Sequence, residues 1–388
     1  MELALPAFSQ RDVLVNPSAA DKETIDEAAT FVFYGERTTC RGIVAEQKNV
    51  AIPLAESRGP GASAILVGLK VLSAGPVLIL LILVAVISVT TPVFLKPANI
   101  SNILAQTSVI AIVSLGQHLV ILTRGIDLSV GANLALATVM GGLLFKVTDS
   151  ATVVIAAMMV TGVLVGFVNG AVYVFGRLPH PFIITLATLS ICRGLAYSIS
   201  ENHTTMRGMP DLVVTIGGGD TFGIPNPFIV VVICAFLVLL MMKAMVWGRW
   251  IYAVGGAPEA AVEMGIPVKW VLVSAYVIAG LCCGIGAVVL SGRTEATSPL
   301  FGNLLELDTI AAVIIGGASF LGGRGHIGHA LVGAVMIGVI RNALNLNNVD
   351  AFFQMVAIGL VIVVAVEADV WRNYLESRAR ALQAGTSQ

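Results

Sequence analysis

Few residues of this 388-residue chain have the types and spacing that chemistry requires. His326 and His329 stand three positions apart and share a helix face, but no HExxH pattern or third ligand accompanies them. We interpret them as interfacial polar residues, not as a metal site. The cysteines form no CxxC pair, and we expect them to be small packing residues. They are Cys40, Cys192, Cys234, Cys282 and Cys283.

The motifs of nucleotide binding and of common catalysis are absent from the sequence. There is no GxxxxGK[ST] stretch to hold phosphates, no GxSxG elbow, and no carboxylate pair with an accompanying His. A net charge of −1 also argues against a basic surface for nucleic acid. We therefore expect no enzyme activity, no cofactor, no metal and no nucleic-acid partner.

The composition is that of a membrane protein. Hydrophobic residues make up 57% of the chain and the mean hydropathy is +0.91, while charged residues make up 12%, about half the ~25% of soluble domains. The chain has 40 glycines and 6% aromatic residues, a balance that suits helices packed closely in lipid. This argues against a water-soluble enzyme.

Long uncharged runs predict where the chain crosses the membrane, since a spanning helix needs about 20 mostly apolar residues. The fold class is therefore all-α, a polytopic membrane protein of ten helices. The predicted spans are 71–95, 97–123, 128–145, 150–176, 178–200, 226–246, 271–292, 307–320, 327–344 and 351–366. The eighth is short and rich in small residues.

Orientation follows from the distribution of Lys and Arg, which favours the side that carries both termini. We expect both termini to be cytoplasmic. Residues 1–60 have no apolar core of signal-peptide length and are interpreted as a polar, partly disordered cytoplasmic extension, not a cleaved leader. Residues 71–370 then form the transmembrane domain, and 371–388 a cytoplasmic tail.

The connection between the second and third predicted spans is a tight turn bounded by Gly125 and Gly131. Asp127 or Ser129 can accept backbone N–H bonds as the N-cap of span three, which is the simpler interpretation. The alternative is that this cytoplasmic turn shapes a gate or a docking surface for a cytoplasmic partner.

The longest inside loop, residues 247–270, predicts a short surface helix. Pro258 suits the first helical position, Glu259 the positive end of the helix dipole, and Gly265 a left-handed stop. Because so short a helix is marginal alone, we expect a partner groove to hold it. The simpler alternative is a plain connection between spans.

Ionisable residues near the spans are few. Charges within the predicted spans are almost absent apart from Arg193 and Lys243, whereas proton-coupled carriers usually keep intramembrane acids or histidines. Glu306 and Asp308 stand at the outer start of span eight, where they either cap the helix or contact a solute.

Four stretches in this order and spacing resemble the ribose-type (monosaccharide) ABC-transporter permeases. They are 125–131 (GIDLSVG), 181–186 (PFIITL), 252–256 (YAVGG) with 260–261 and 265–266, and 306–317 (ELDTIAAVIIGG). The resemblance extends from about residue 71 to residue 371. It implies the all-α fold of an ABC importer permease in the bacterial inner membrane.

The resemblance also implies partners. Such permeases work as homodimers in membrane lipid, with a periplasmic sugar-binding protein outside and a separate ATP-binding subunit in the cytoplasm. Their loop after the sixth span carries the ATPase-coupling helix. Here that role falls on Gly255, Gly256, Glu259, Ala260, Ala261 and Gly265. Ala257 and Pro258 depart from the family, which often has Asn and a polar residue there.

Two other classes share parts of this sequence pattern. An ion-coupled secondary transporter of a small polar solute has the same hydropathy but needs ionisable residues at the membrane midplane. A multi-span membrane enzyme needs His, Asp or Glu clustered at one membrane face. No motif separates ribose from other pentoses, hexoses or polyols.

Overall fold

The computed structural model describes residues 60–206 and 209–385. The predicted N-terminal extension and Cys40 lie outside the described residues, apart from Pro60. Everything described belongs to one compact unit.

The described residues form thirteen α-helices and four two-residue strands, which confirms the all-α prediction. The helices are α1 Pro60–Thr90, α2 Pro97–Leu122, α3 Val130–Phe145, α4 Ala151–Phe175, α5 Phe182–Ile199, α6 Asp211–Gly218, α7 Asn226–Ala244, α8 Val246–Gly256, α9 Pro258–Glu263, α10 Val268–Thr294, α11 Leu305–Ile315, α12 Ile327–Leu346 and α13 Ala351–Gly385. The strands are β1 Thr205–Met206, β2 Asp220–Thr221, β3 Ile224–Pro225 and β4 Ala296–Thr297.

Each of the ten predicted spans corresponds to a helix. Within the described residues, α2, α4, α5, α7, α10 and α12 are long and apolar enough to cross a membrane, and 75–90, α3 and 351–367 are shorter apolar segments. Helices α1 and α13 are longer than predicted, since α1 begins at Pro60 and α13 continues to Gly385. Helix α11 is shorter, with 11 residues, and ends at Ile315. Gly316 and Gly317 follow, and Gly317 turns the backbone with φ +82°. At about 16 Å, α11 crosses about half of a ~30 Å hydrocarbon core.

The core is built around α10, which packs against α2, α3, α4 and α6. Glycines bring α4 and α10 into backbone contact. A Cβ on Gly162 would collide with the Gly280 carbonyl oxygen, and one on Gly166 with the Tyr276 carbonyl oxygen. Small residues at such crossings are the usual basis of close helix packing in membranes.

The outward faces of α4, α5 and α7 are apolar. On α7 the exposed side chains include Val232, Ile233, Phe236 and Leu237. A continuous apolar surface of this kind suits lipid, which is the expected solvent of a spanning helix. Lys243 lies in the last turn of α7, where a long side chain can reach the membrane surface.

Several elements were missed in the sequence. Helix α8 occupies part of a segment expected to be loop, since Met245 adopts an extended conformation and separates it from α7. Helix α6 and the strands lie in stretches without a clear period. β1 pairs with β4 through Thr205 and Thr297, so it joins the segment after α5 to the one after α10.

Candidate coupling surface

The loops that stood out in the sequence meet at one place, which we call the loop junction: residues 122–125, 252–256 and 322–325. Helix α8 leads into it with Ile251 and Val254 buried and Arg249 exposed. This amphipathic spacing fixes which side of α8 packs on the protein. Because helix carbonyls point along the axis toward the C-terminus, those of the last turn of α8 point into the loop junction.

Arg124 holds the end of α8. Its Nε donates a hydrogen bond to the Gly255 carbonyl oxygen at 2.6 Å, and its Nη2 donates to the Gly256 carbonyl oxygen at 2.7 Å. The last carbonyls of a helix have no partner within the helix and form the negative end of its dipole. A guanidinium satisfies both requirements, so Arg124 ties the end of α2 to the end of α8.

Gly255 is required at this contact. A Cβ there would overlap the Leu122 carbonyl oxygen and would lie 2.7 Å from the Gly323 nitrogen. The same groups are joined by a hydrogen bond, since the Gly323 N–H donates to the Leu122 carbonyl at 2.9 Å. At Gly256, by contrast, a Cβ would enter open space.

Tyr252 adds a contact between α8 and the third loop. Its hydroxyl donates to the Gly325 carbonyl oxygen at 2.9 Å. Burial raises the pKa of Tyr252, which keeps the hydroxyl protonated and able to donate. The loop junction is thus bonded across all three of its segments.

Helix α9 extends from the loop junction and has the predicted form. Pro258 occupies its first turn beside Glu259, and Gly265 ends it with φ +75°. The Ile266 N–H closes the end by donating to the Ala261 carbonyl at 3.0 Å. Proline at the start and a left-handed glycine at the end explain why six residues hold a helix.

One face of helix α9 packs against the protein and the other is exposed to solvent. Ala261 is fully buried, whereas Glu259 and Ala260 are exposed. Val262 and Met264 are 61% and 68% exposed. Of the predicted coupling residues, Gly255 and Ala261 are therefore buried in the fold, and Gly256, Glu259, Ala260 and Gly265 are exposed.

The predicted cytoplasmic turn lies next to the loop junction but inside the protein. Asp127 Oδ1 accepts from the Ser129 backbone N–H at 2.8 Å and from its hydroxyl at 2.7 Å. The Asn169 amide donates to the Ser129 hydroxyl at 2.8 Å. The Gln117 amide faces the N–H and the carbonyl of Asp127, each at 3.3 Å. Asp127 therefore braces a turn of the backbone.

The turn residues Gly125, Asp127, Ser129 and Gly131 are all buried. Ser129 precedes α3 but makes no side-chain capping bond. Burial leaves these four residues without a surface on which a cytoplasmic partner can dock, and their role as a gate stays a prediction.

The histidines lie at the start of α12. His326 caps that helix by accepting the Gly328 N–H through Nδ1 at 3.1 Å. Burial first, then the neighbouring His329 and Lys243, lower the pKa of His326. Within residues 60–206 and 209–385, no group of three His, Cys, Asp or Glu side chains is placed to hold a metal.

Sequence analysis missed two residues of the loop junction, Arg124 and Tyr252. Arg124 stands directly before the Gly125 motif and Tyr252 within the YAVGG stretch, so both were adjacent to recognised signals. The contact itself could not be predicted from the sequence, because Arg124 and Gly255 are 131 positions apart.

A family model described as branched-chain amino acid transport system / permease component matches residues 99–366, which include the loop junction, α9 and the Asp127 turn. The chain belongs to this permease family. The predicted relationship to ribose-type ABC permeases is confirmed as well, since curated ribose permeases are 36–39% identical to most of the chain.

Three relatives indicate the extent of the similarity. The ribose import permease of Haemophilus influenzae is 37% identical over 77% of this chain and 92% of its own length. The ribose import permease of Bacillus subtilis is 39% identical over 76% and 92%. The D-allose permease of Escherichia coli is 38% identical over 76% and 90%. No solved structure matches the chain at a significant level.

Membership of the permease family, with six apolar helices of spanning length in the described residues, makes this a multi-pass protein of the bacterial inner membrane. The chain is a transport subunit of an ABC importer. Permeases of this class work with an ATP-binding subunit and a substrate-binding protein.

Proposed function

We propose that this permease imports a monosaccharide such as ribose, or a related pentose, hexose or polyol, and that α9 couples it to its ATP-binding subunit. The observation that carries the coupling is the Arg124 clamp on α8, which presents α9 with exposed Glu259, Val262 and Met264. The assignment of a sugar is supported by the substrates for which its relatives are named, which are ribose, D-allose and fructose.

The exposed side chains of α9 suit a protein partner better than water. Val262 and Met264 are apolar and more than half exposed beside the charged Glu259. Anchors of this type, with a polar rim, are typical of interface centres. In this proposal they enter a groove of the cytoplasmic ATP-binding subunit, and the permease has no nucleotide site of its own.

The clamp gives movement of α9 a route into the membrane helices. Arg124 lies two residues after the end of α2, and the Gly323 N–H donates to the carbonyl oxygen of Leu122, the last residue of α2. Tyr252 joins α8 to the loop that leads into α12. A pull on α9 therefore reaches α2 and α12 together, which is the coupling that alternating access needs.

The arrangement in the membrane follows the sequence prediction. Two copies of the permease surround the solute path in the lipid bilayer, both termini face the cytoplasm, and a periplasmic sugar-binding protein delivers the solute. With this orientation the loop junction and α9 lie on the cytoplasmic side, where the ATP-binding subunit is.

Co-purification of the candidate ATP-binding subunit tests the coupling surface. We expect the unaltered permease to retain the subunit and Val262→Asp with Met264→Asp to lose it, because two charges then enter an apolar contact. Phe236→Tyr on the outward face of α7 is the control. Retention of the subunit by the double variant contradicts the assignment of α9.

The ion-coupled alternative makes a different prediction. Uptake that continues without ATP and collapses with the proton gradient favours a secondary transporter. Uptake that stops without ATP and tolerates loss of the gradient favours the proposal.

A further inference from the structure

A stretch of irregular backbone between β4 and α11, residues 298–304, lies beside the spanning helix α5, away from the ends of that helix. Arg193 in α5 donates through Nη1 to the carbonyl oxygens of Pro299 and of Phe301, the latter at 2.8 Å. At 1.5 Å per residue, Arg193 is about 16 Å from the start of α5 at Phe182 and about 9 Å from its end. The 298–304 segment therefore reaches membrane depth.

Two helices begin at this break. Gly302, with φ +65°, lies against Gly131 in the first turn of α3, and α11 starts at Leu305. A Cβ on Gly131 would collide with the Gly302 carbonyl oxygen and lie 2.6 Å from Glu306 Oε2. The N-terminal ends of α3 and α11 thus meet beside Glu306.

Polar groups at the break are not fully covered by the described residues of this chain. Asn303 is exposed, and Arg193 and Glu306 are each partly exposed. Irregular backbone and charges are stable at membrane depth only where protein buries them or where they line a water-filled cavity. An exposed asparagine beside two charges is not compatible with a lipid-facing surface. The break therefore faces water.

The neighbouring acid on α11 is bound differently. Asp308 is 4% exposed and forms a salt bridge with Arg341 of α12 at 2.7 Å. Glu306 is partly exposed, but its Oε2 is buried and has no hydrogen-bond partner among the described residues. The structure thus uses Asp308 to hold α11 to α12 and leaves one oxygen of the Glu306 carboxylate unpaired.

We propose that Arg193, Asn303 and Glu306 form a contact site for the sugar on the translocation path. This inference rests on the proposed import function. The guanidinium and the amide donate to sugar hydroxyls, and the carboxylate accepts from them. The opposite charges of Arg193 and Glu306 offset each other, so the site suits a neutral polyhydroxylated solute. Because the site offers only a few polar contacts, it binds the solute weakly enough for the solute to leave.

Cysteine labelling tests whether the break faces water. The probe is a membrane-impermeant maleimide, applied to Asn303→Cys in the complete transporter with its ATP-binding and sugar-binding subunits. The control is Ile191→Cys on the outward face of α5, which is 58% exposed and apolar. We expect Asn303→Cys to react, D-ribose to slow its labelling, and Ile191→Cys to stay unlabelled. If neither Asn303→Cys nor Ile191→Cys reacts with the maleimide, the proposal is overturned.

Transport of radiolabelled D-ribose, D-allose and D-fructose tests recognition. We expect Glu306→Gln to lower uptake of at least one sugar about tenfold and to change the ratio between sugars, since one charged hydrogen bond is lost. Assembly with the ATP-binding subunit and ATP hydrolysis stay unchanged. Unaltered ratios in both Glu306→Gln and Asn303→Ala overturn the site. If the unaltered transporter imports none of these sugars with ATP, it is the proposed function that fails.

Discussion

The Arg124 side chain donates a 2.6 Å hydrogen bond to the carbonyl oxygen of Gly255, at the C-terminal end of α8. It also reaches the next carbonyl, that of Gly256, so one guanidinium binds two unpaired acceptors at the negative end of a helix. The pair connects the segment that carries α9 to the end of a membrane-spanning helix. This relationship underlies the coupling that we propose.

Replacing Arg124 by lysine tests that connection. Lysine keeps the charge but cannot reach both carbonyls in one planar geometry. We expect ATP-driven sugar uptake to fall about tenfold, since a hydrogen bond to a charged group contributes about 1.5–3 kcal/mol. Arg249→Lys on the exposed side of α8 is the matched control. Equal uptake by the two variants contradicts the role of the clamp.

Alanine substitutions at the neighbouring Gly255 and Gly256 separate the effect of steric fit from the effect of helix propensity. Gly255→Ala places a methyl group on the Leu122 carbonyl, whereas Gly256→Ala enters open space. We expect Gly255→Ala to lose about 1–3 kcal/mol of stability, as overpacked sites do, and Gly256→Ala to be tolerated. Thermal unfolding of the purified permease in detergent measures the difference. Coincident melting curves for the two variants would show that the backbones are not in contact.

The helices could be predicted from the sequence, whereas the contacts of the loop junction could not, and one physical cause explains both. A span such as α10 is specified by its own apolar residues, so its existence can be read locally. The Arg124–Gly255 contact joins residues 131 positions apart, and no local pattern encodes it. The resemblance identified the correct segments but not which of their residues touch.

The salt bridge between Asp308 and Arg341 predicts strong dependence of one residue on the other. Asp308→Asn leaves Arg341, whose side chain is 26% exposed, without its counter-charge. Loss of one partner costs about 3–5 kcal/mol for a fully buried pair and less for this partly buried one. We expect little folded protein from this variant. Removing both charges with Asp308→Asn and Arg341→Gln restores much of the yield. Equal yields of single variant and unaltered protein, by size-exclusion chromatography, would contradict the pairing.

His326 gives a prediction about pH. Burial, His329 and Lys243 lower its pKa below the usual 6.5, so the neutral form that caps α12 is favoured in the fold. Stability from this cap is fully present above pH 6.5 and is lost as the pH falls through the lowered pKa. NMR of labelled histidine in nanodiscs measures the midpoint. We expect it below 6.5 and expect His329→Gln to raise it; a midpoint above 6.5 would refute the assignment.

Glu306 and Asp308 illustrate where sequence patterns end. Both were expected near the outer start of span eight, as caps or as solute contacts. Neither is the N-cap of α11, which is Leu304 in a left-handed conformation without a side-chain capping bond. Their different partners follow from tertiary packing: Arg341 of α12 reaches Asp308, while Glu306 lies against Gly131 of α3. Two acids only two positions apart on one helix thus have separate environments that spacing alone does not reveal.

The most direct test of the central claim is uptake of radiolabelled ribose by proteoliposomes that contain this permease, its candidate ATP-binding subunit and its sugar-binding protein. We predict that uptake requires ATP and all three proteins. We also predict that Glu259→Arg on α9 abolishes uptake while the permease stays inserted in the membrane. Uptake that continues without the ATP-binding subunit, or that Glu259→Arg leaves unchanged, would contradict coupling through α9.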